Sequence, residues 1–259
     1  MNNYTINIHY LYHSGFSVET KNYFLIFDYY KDSFTGKTNN IYNGLISNDF
    51  IKSKNNVIVF SSHSHPDHFN PVILKWDKIN KNIKYILSSD IKITNYKKNY
   101  YKLSKYKDLK LDDIYIKAYG STDIGVSYLV KVDGITLFHA GDLNWWYWKE
   151  DSENERKMAG GNFKHEIKQL KGEKIDIAFF PVDPRLEEYY SLGGEYFIKE
   201  INPSVFFPMH LWDKMSICGK FKDYMGNCKT KIMCIENPGQ NFQLAYEDGH
   251  LQLPQKDNN

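Results

Sequence analysis

Cysteine is scarce. Cys218, Cys228 and Cys234 are an odd three among 259 residues, and no C-x-x-C pair occurs. That count argues against a disulfide framework and a thiolate zinc site, and a reducing cytosol fits best. Long apolar runs are also lacking, none approaching the ~20 residues a membrane span needs. The opening MNNYTINIHYLYHSG has no basic segment followed by an apolar one, so no signal peptide is read there. The expectation is a soluble, cytoplasmic protein without a membrane partner. An excess of one charge sign is missing too: the formal net charge is +2 and lysines are scattered, which argues against a nucleic-acid partner. There is no internal repeat and no low-complexity linker, and residues 254–259 (PQKDNN) read as a frayed tail. The sequence is silent on oligomeric state.

What is present is ordinary globular composition, 42% hydrophobic and 25% charged. The length suits one domain, 1–259, of a two-sheet α/β architecture with a large core. Residues 4–12, 16–20 and 23–28 read as a strand meander, and 31–50 as a polar loop. The apolar run VIVFS at 57–61 is a buried strand, with helix at 71–78 and strand at 84–88 following. Further strands fall at 114–118, 125–132 and 135–139, the last two joined by an Asp133-Gly134 hairpin turn. Residues 150–171 suggest a helix interrupted at Gly160-Gly161; 175–182, 205–209 and 231–235 are strands, and 194–201 and 220–225 helices. Strands with interspersed helices in both halves imply two sheets covered by helices.

Chemistry concentrates where the strand at 57–61 ends, in Ser62-His63-Ser64-His65-Pro66-Asp67-His68. Three imidazoles and a carboxylate within six residues are a metal-ligand set, since neutral imidazole and carboxylate are preferred by first-row divalent ions. A polar turn of merely solvated histidines is the plain alternative.

H-S-H-P-D-H resembles the H-x-H-x-D-H signature of the metallo-β-lactamase superfamily, and the likeness extends along the chain. Tyr12-His13-Ser14-Gly15-Phe16 with Ile26-Phe27-Asp28 resembles the family's opening hairpins, and Phe138-His139-Ala140-Gly141-Asp142 its strand-end G-D segment. Pro208-Met209-His210 resembles the late strand that ends in the last histidine ligand. The details are most similar to the ascorbate-6-phosphate lactonase-like branch. The resemblance implies a four-layer αβ/βα sandwich, with His63 and His65 on a first metal, Asp67, His68 and His210 on a second, and Asp142 between them. It implies a metal-dependent hydrolase of a small-molecule ester, lactone or phosphoester. The cofactor would be one or two divalent ions, with zinc first and manganese or iron as alternatives. A metal-containing binding or sensor protein without turnover is the rival reading. Nucleic-acid processing and di-iron redox chemistry lack the added modules those branches carry.

One departure stands out. The superfamily supplies a further histidine between the signature and the bridging aspartate, and this chain has none between His68 and His139. Asp123 or Ser121, in Tyr119-Gly120-Ser121-Thr122-Asp123, are the candidate replacements, the other readings being water in that place, compensation by His139, or a single metal. Asp67 is expected to orient the attacking water while contacting metal, with His68 and Asp142 completing the catalytic set. His139 is expected to support Asp142; Asp28 and Asp183, at predicted strand ends, either hold ligand histidines or are solvated loop residues. His13 either reaches the site from the first sheet or makes a structural hydrogen bond. Trp145, Trp146, Trp148 and Trp212 lie near predicted ligands and form a substrate wall or pack a helix, and Arg185 meets an anionic group or lies on the surface. His9, His165 and His250 are read as surface or strand residues.

Overall fold

The structure is a computed structural model that describes residues 3–253; the run 254–259 lies outside the described residues. Alternation along the early strands decides the architecture, because successive side chains of a strand face opposite ways. The chain opens with β1 (Tyr4–Tyr12), β2 (Gly15–Glu19), β3 (Phe24–Phe27), β4 (Val57–Ser61), β5 (Lys84–Ser88) and β6 (Tyr100–Leu103). In β3, Leu25 and Phe27 enter one core while Phe24 and Ile26 enter another. In β4, Ile58 and Phe60 likewise face the first core, Val57 and Val59 the second. A sheet apolar on both faces must be covered on both, and each fully buried side chain of this kind contributes about 1.5–3 kcal/mol.

One cover is a second sheet, β7 (Asp108–Leu111), β8 (Ile114–Tyr119), β9 (Ser127–Val132), β10 (Ile135–His139), β11 (Ile177–Pro181), β12 (Val205–Met209) and β13 (Lys231–Ile232). The chain then returns to the first sheet with β14 (Asn241–Glu247) and β15 (His250–Gln252). Among the described residues the first sheet has the order β15-β14-β1-β2-β3-β4-β5-β6 and the second β13-β12-β11-β10-β9-β8-β7. The other cover of the first sheet is α1 (Asn48–Ser53) with the 3-10 turn Pro71–Lys78, whose Ile51, Ile73 and Trp76 fill the smaller core. The second sheet is covered by α2 (Glu153–Gln169), α3 (Leu192–Ile201) and α4 (Ile217–Met225), through Phe163, Phe197 and Phe221 among others. The result is the expected helix–sheet–sheet–helix sandwich. No helix among the described residues is long and apolar enough to cross a membrane.

Three expectations change. The helix at 150–171 is not interrupted: α2 runs through Gly160-Gly161, started by a capping box between Ser152 and Glu155. Gly160 is there because Trp145 packs over it, and a Cβ would lie 2.8 Å from the indole. The loop at 31–50 carries a 3-10 turn, Ile41–Asn43, and the start of α1. Strands β6, β7, β14 and β15 were not anticipated, and the 231–235 strand shortens to Lys231–Ile232.

The topology places the chemistry. β3, β4 and β5 run parallel in one sheet, and β10, β11 and β12 in the other. Asp28, the 62–68 segment, Asp142, Asp183 and His210 all follow the carboxyl ends of these parallel strands. Open α/β sheets bind ligands at such ends.

Candidate metal centre

The signature loop is held from beneath by a single carboxylate. Asp28, buried at the end of β3, accepts hydrogen bonds from Ser62 N at 2.7 Å and Ser62 Oγ at 2.6 Å. The same carboxylate lies 2.7 Å from His68 Nδ1. Nδ1 thereby donates to Asp28, and Nε2 is the nitrogen turned to the site. The turn is closed by His68 N and Phe69 N, which both donate to the His65 carbonyl. His63 lies within the pocket, Nδ1 at 2.9 Å from Ser62 Oγ and Nε2 at 3.0 Å from His65 Nδ1.

The second sheet repeats the device. Asp183, fully buried after β11, lies 2.8 Å from His210 Nδ1 and leaves Nε2 facing inward. Its charge is shared with Arg185, whose Nε and Nη2 donate to Oδ2 at 2.9 and 2.6 Å. Asp142 sits between the halves: Oδ1 is 3.0 Å from His68 Nε2 and 3.3 Å from His210 Nε2, and Oδ2 is 3.5 Å from His63 Nε2. Burial would raise the Asp142 carboxyl, but the His68 and His210 imidazoles outweigh it and hold the group well below its usual range. Burial lowers His63. Asp142 and His63 thus carry the charge states a cation needs, a carboxylate and a neutral imidazole. Burial would lower His68 and His210 too, but the carboxylates of Asp142, Asp28 and Asp183 raise them, so an ion binding there displaces a proton from each.

The fit to a metal rests on orphaned atoms. His68 Nε2, His210 Nε2, Asp142 Oδ1 and both nitrogens of His13 are buried without a hydrogen-bond partner. Leaving such groups unsatisfied costs roughly 1–3 kcal/mol each. Their donors gather into three groups whose atoms lie within 4.8 Å of one another: His13, Asp67, His68 and His210; His63, His68 and Asp142; and His65, Asp123 and Asp142. Residues far apart in the chain thus converge on adjoining cation-sized spaces linked through His68 and Asp142.

Residues 7–158 match the family described as the beta-lactamase superfamily domain. The chain belongs to that superfamily. Solved superfamily-like structures cover nearly all of it. Igni18, a metallo hydrolase from Ignicoccus hospitalis, superposes with a TM-score of 0.63 at 17% identity, over 93% of this chain and 98% of that one. The metallo-beta-lactamase fold protein YhfI from Bacillus subtilis gives 0.56 at 11%, over 92% and 99%. CmlA, a diiron beta-hydroxylase from Streptomyces venezuelae, gives 0.57 at 9%, over 92% of this chain and 54% of that one. At such identities the likeness is one of fold. No curated protein sequence matches.

Around this superfamily site the structure sorts the remaining candidates. A cleft of about 440 Å³ is lined by His65, Asp67, Thr122, Asp123, Asp142, Trp146, Trp148, Arg185 and His210. Trp146 and Trp148 stack at 5.8 Å with their planes 4° apart, and Trp146 Nε1 donates to the Asp142 carbonyl. Trp145 turns away, its ring packed on Phe163 and Tyr196 with Lys164 above it, so it is a packing residue and not part of the wall. Trp212 stands outside the cleft lining, 4.2 Å from the His13 ring and beneath Arg185. Ser121 belongs to none of the donor groups; its Oγ accepts from Asp123 N at 3.2 Å and shapes the loop that presents Asp123.

His139 is occupied on both nitrogens. Nε2 lies 2.8 Å from the Ser14 carbonyl, and Nδ1 accepts from Gly141 N at 3.2 Å. It therefore props the turn that carries Asp142. Sequence reading missed Thr122, whose Oγ1 donates to the Asn144 carbonyl at 2.6 Å and accepts from Asn144 N at 2.9 Å, pinning the same turn. It also missed Asp90, which accepts from Ser64 N. His9 lies in β1 against Tyr42, His165 on α2 and His250 in β15, all outside the site.

Proposed function

We propose that this chain is a metal-dependent hydrolase of a small-molecule ester, lactone or phosphoester. The observation that carries the reading is the set of buried imidazole and carboxylate atoms that face one another without partners. A divalent ion held there supplies Lewis acidity, polarising a carbonyl or phosphoryl oxygen and acidifying water.

The chain's own residues do the rest. His68 and His210 keep fixed tautomers through Asp28 and Asp183. Asp67 lines the cleft, and although burial would raise its carboxyl, the contact with His13 helps hold it below the usual carboxylate range. It is the base that orients water toward the substrate. Trp146 and Trp148 form an apolar wall, and Arg185 brings a guanidinium to the same cleft. That combination suits a metabolite-sized molecule with a flat face and an acyl or phosphoryl oxygen, and it agrees with the lactonase-like resemblance. Three free cysteines fit the reducing cytosol.

The place of the missing superfamily histidine goes to Asp123. Its Oδ2 lies 3.8 Å from His65 Nδ1 and shares a donor group with Asp142. A first site of His63, His65, Asp123 and Asp142 carries two carboxylates, which moves its preference from zinc toward manganese or iron. Asp123→Ala is expected to weaken one of two sites about 100-fold, the loss of a charged contact worth ~2–3 kcal/mol. Asp123→His is expected to restore two ions and favour zinc. Elemental analysis with metal titration reads both; two full ions in Asp123→Ala would remove Asp123 from the site.

The function is tested by metal content per chain together with a screen of lactones, carboxylic esters and phosphoesters. Bound metal and turnover abolished by a chelator and restored by added ion is the expected result. Turnover indifferent to metal, or a metal-loaded protein that binds substrate and releases it unchanged, would overturn it.

A further inference from the structure

We propose that His13 is a direct ligand of the metal centre, closing the second site from the opposite sheet; the proposal rests on the metal reading above. His13 occupies the two-residue turn between β1 and β2 and is fully buried. Neither of its ring nitrogens has a partner. Every other buried histidine of the site has at least one nitrogen held: His68 by Asp28, His210 by Asp183, His63 by Ser62, and His139 by Ser14 and Gly141. A purely structural histidine would show such an anchor. His13 shows none.

What faces its Nε2 is a set of ligand atoms. Asp67 Oδ2 is 3.4 Å away, and the nitrogens of His68 and His210 lie in the same 4.8 Å donor group. The ring is 4.0 Å from that of His210 and 5.4 Å from that of His68, centroid to centroid. The remaining neighbours are the rings of Trp212 at 4.2 Å, Tyr30 at 6.3 Å and Tyr12 at 6.5 Å, none of which satisfies it.

The backbone agrees. His13 has φ 57° and His210 φ 64°, in the left-handed region that non-glycine residues enter at a cost of about 1–2 kcal/mol. One hydrogen bond joins the two strained residues, His210 N donating to the His13 carbonyl at 3.0 Å. Strain of this kind persists where surrounding contacts over-determine it, and it clusters at functional sites. Here it aims two imidazoles from two sheets at one point.

The consequence concerns coordination number. His13, Asp67, His68, Asp142 and His210 supply five protein donors, more than the four of a closed tetrahedral zinc site. A second ion would then be held mainly by protein donors, while His65 and Asp123, whose side chains are 43% and 42% exposed, are the most open of the proposed ligands.

The test uses the full chain and His13→Asn, because asparagine tolerates the left-handed backbone. The affinity for Mn(II), read by chelator competition, is expected to fall about 100-fold at one site while the metal-free variant melts at the wild-type temperature. As a second readout, proton spectra of Co(II)-loaded wild type should show paramagnetically shifted imidazole signals from His13, identified by their absence in His13→Asn. If the variant does not fold, selective nitrogen labelling of histidine in wild type gives the same answer from five shifted rings against four. Unchanged affinity with unchanged shifted signals, or four shifted rings in wild type, overturns the assignment of His13 alone. A wild-type chain that takes up no metal overturns it together with the proposed function.

Discussion

Alanine at His68 is expected to strip metal from the second site and to lower chelator-sensitive turnover by at least about 10³-fold. The size follows from the several kcal/mol that metal polarisation contributes to a transition state, each 1.36 kcal/mol being tenfold. His68 is the residue most entangled in the centre. Its Nε2 belongs to two of the three donor groups, and its Nδ1 ties the loop to Asp28. The substitution also takes the imidazole partner from the buried Asp28 Oδ2, leaving it only the Ser62 Oγ hydrogen bond, and breaking a buried pair of this kind costs about 3–5 kcal/mol. Metal analysis must therefore be paired with a melting curve, and His68→Asn, which keeps a polar atom near Asp28, separates the two effects. Full metal content in a folded His68→Ala protein would sink the assignment of the site.

A methyl group at Gly125 is expected to damage the fold nearly as much without removing a ligand. Gly125 has φ +82°, and an added Cβ would lie 2.2 Å from the Ser62 carbonyl oxygen and 2.4 Å from His63 Cβ. Neither neighbour can retreat. Val126 N donates to that same carbonyl at 2.9 Å, and Ser62 N and Oγ are fixed on Asp28. Gly125→Ala should lose roughly 3–5 kcal/mol, lowering the melting temperature by about 6–20 °C at this chain length, with weaker metal binding because His63 is displaced. Gly161→Ala is the control. It lies in α2 with nothing within 4 Å of the added carbon, and a gain of ~0.5–1 kcal/mol is expected from helix propensity. Equal melting temperatures for the two variants would refute the packing argument.

Much of this was readable before any coordinates, for identifiable reasons. VIVFS followed by H-S-H-P-D-H joins an apolar strand to a dense ligand set, and both are local signals. The family and sandwich followed from it. Asp123 could be suspected only from a gap in spacing, because a half-exposed carboxylate in a loop looks like any other. His13 stayed open between two roles, since its meaning depends on the β1–β2 turn meeting the end of β12, a contact between sheets that no local pattern encodes. The tryptophans show the limit most plainly: Trp145 and Trp146 are adjacent in the chain, yet one packs on α2 and the other lines the cleft. Gly160 reads as a helix breaker until Trp145 is placed over it. β6 and β7, with sequences YYKL and DLKL, are short and carry lysines, so their apolar signal is thin. β14 is different: its buried–exposed alternation in NFQLAYE was visible and was overlooked.

The first sheet is finished by the last strands. β1 pairs with β2 on one side and with β14 on the other, Tyr4 standing opposite Tyr246. A ribosome delivers β2 long before β14, so the strand that leads into the His13 turn spends most of synthesis with an open edge. Contacts this remote in sequence close slowly, and ion capture at full strength must wait for translation to reach them. A chain ending between residues 211 and 240 would retain every proposed ligand and is expected to hold metal poorly.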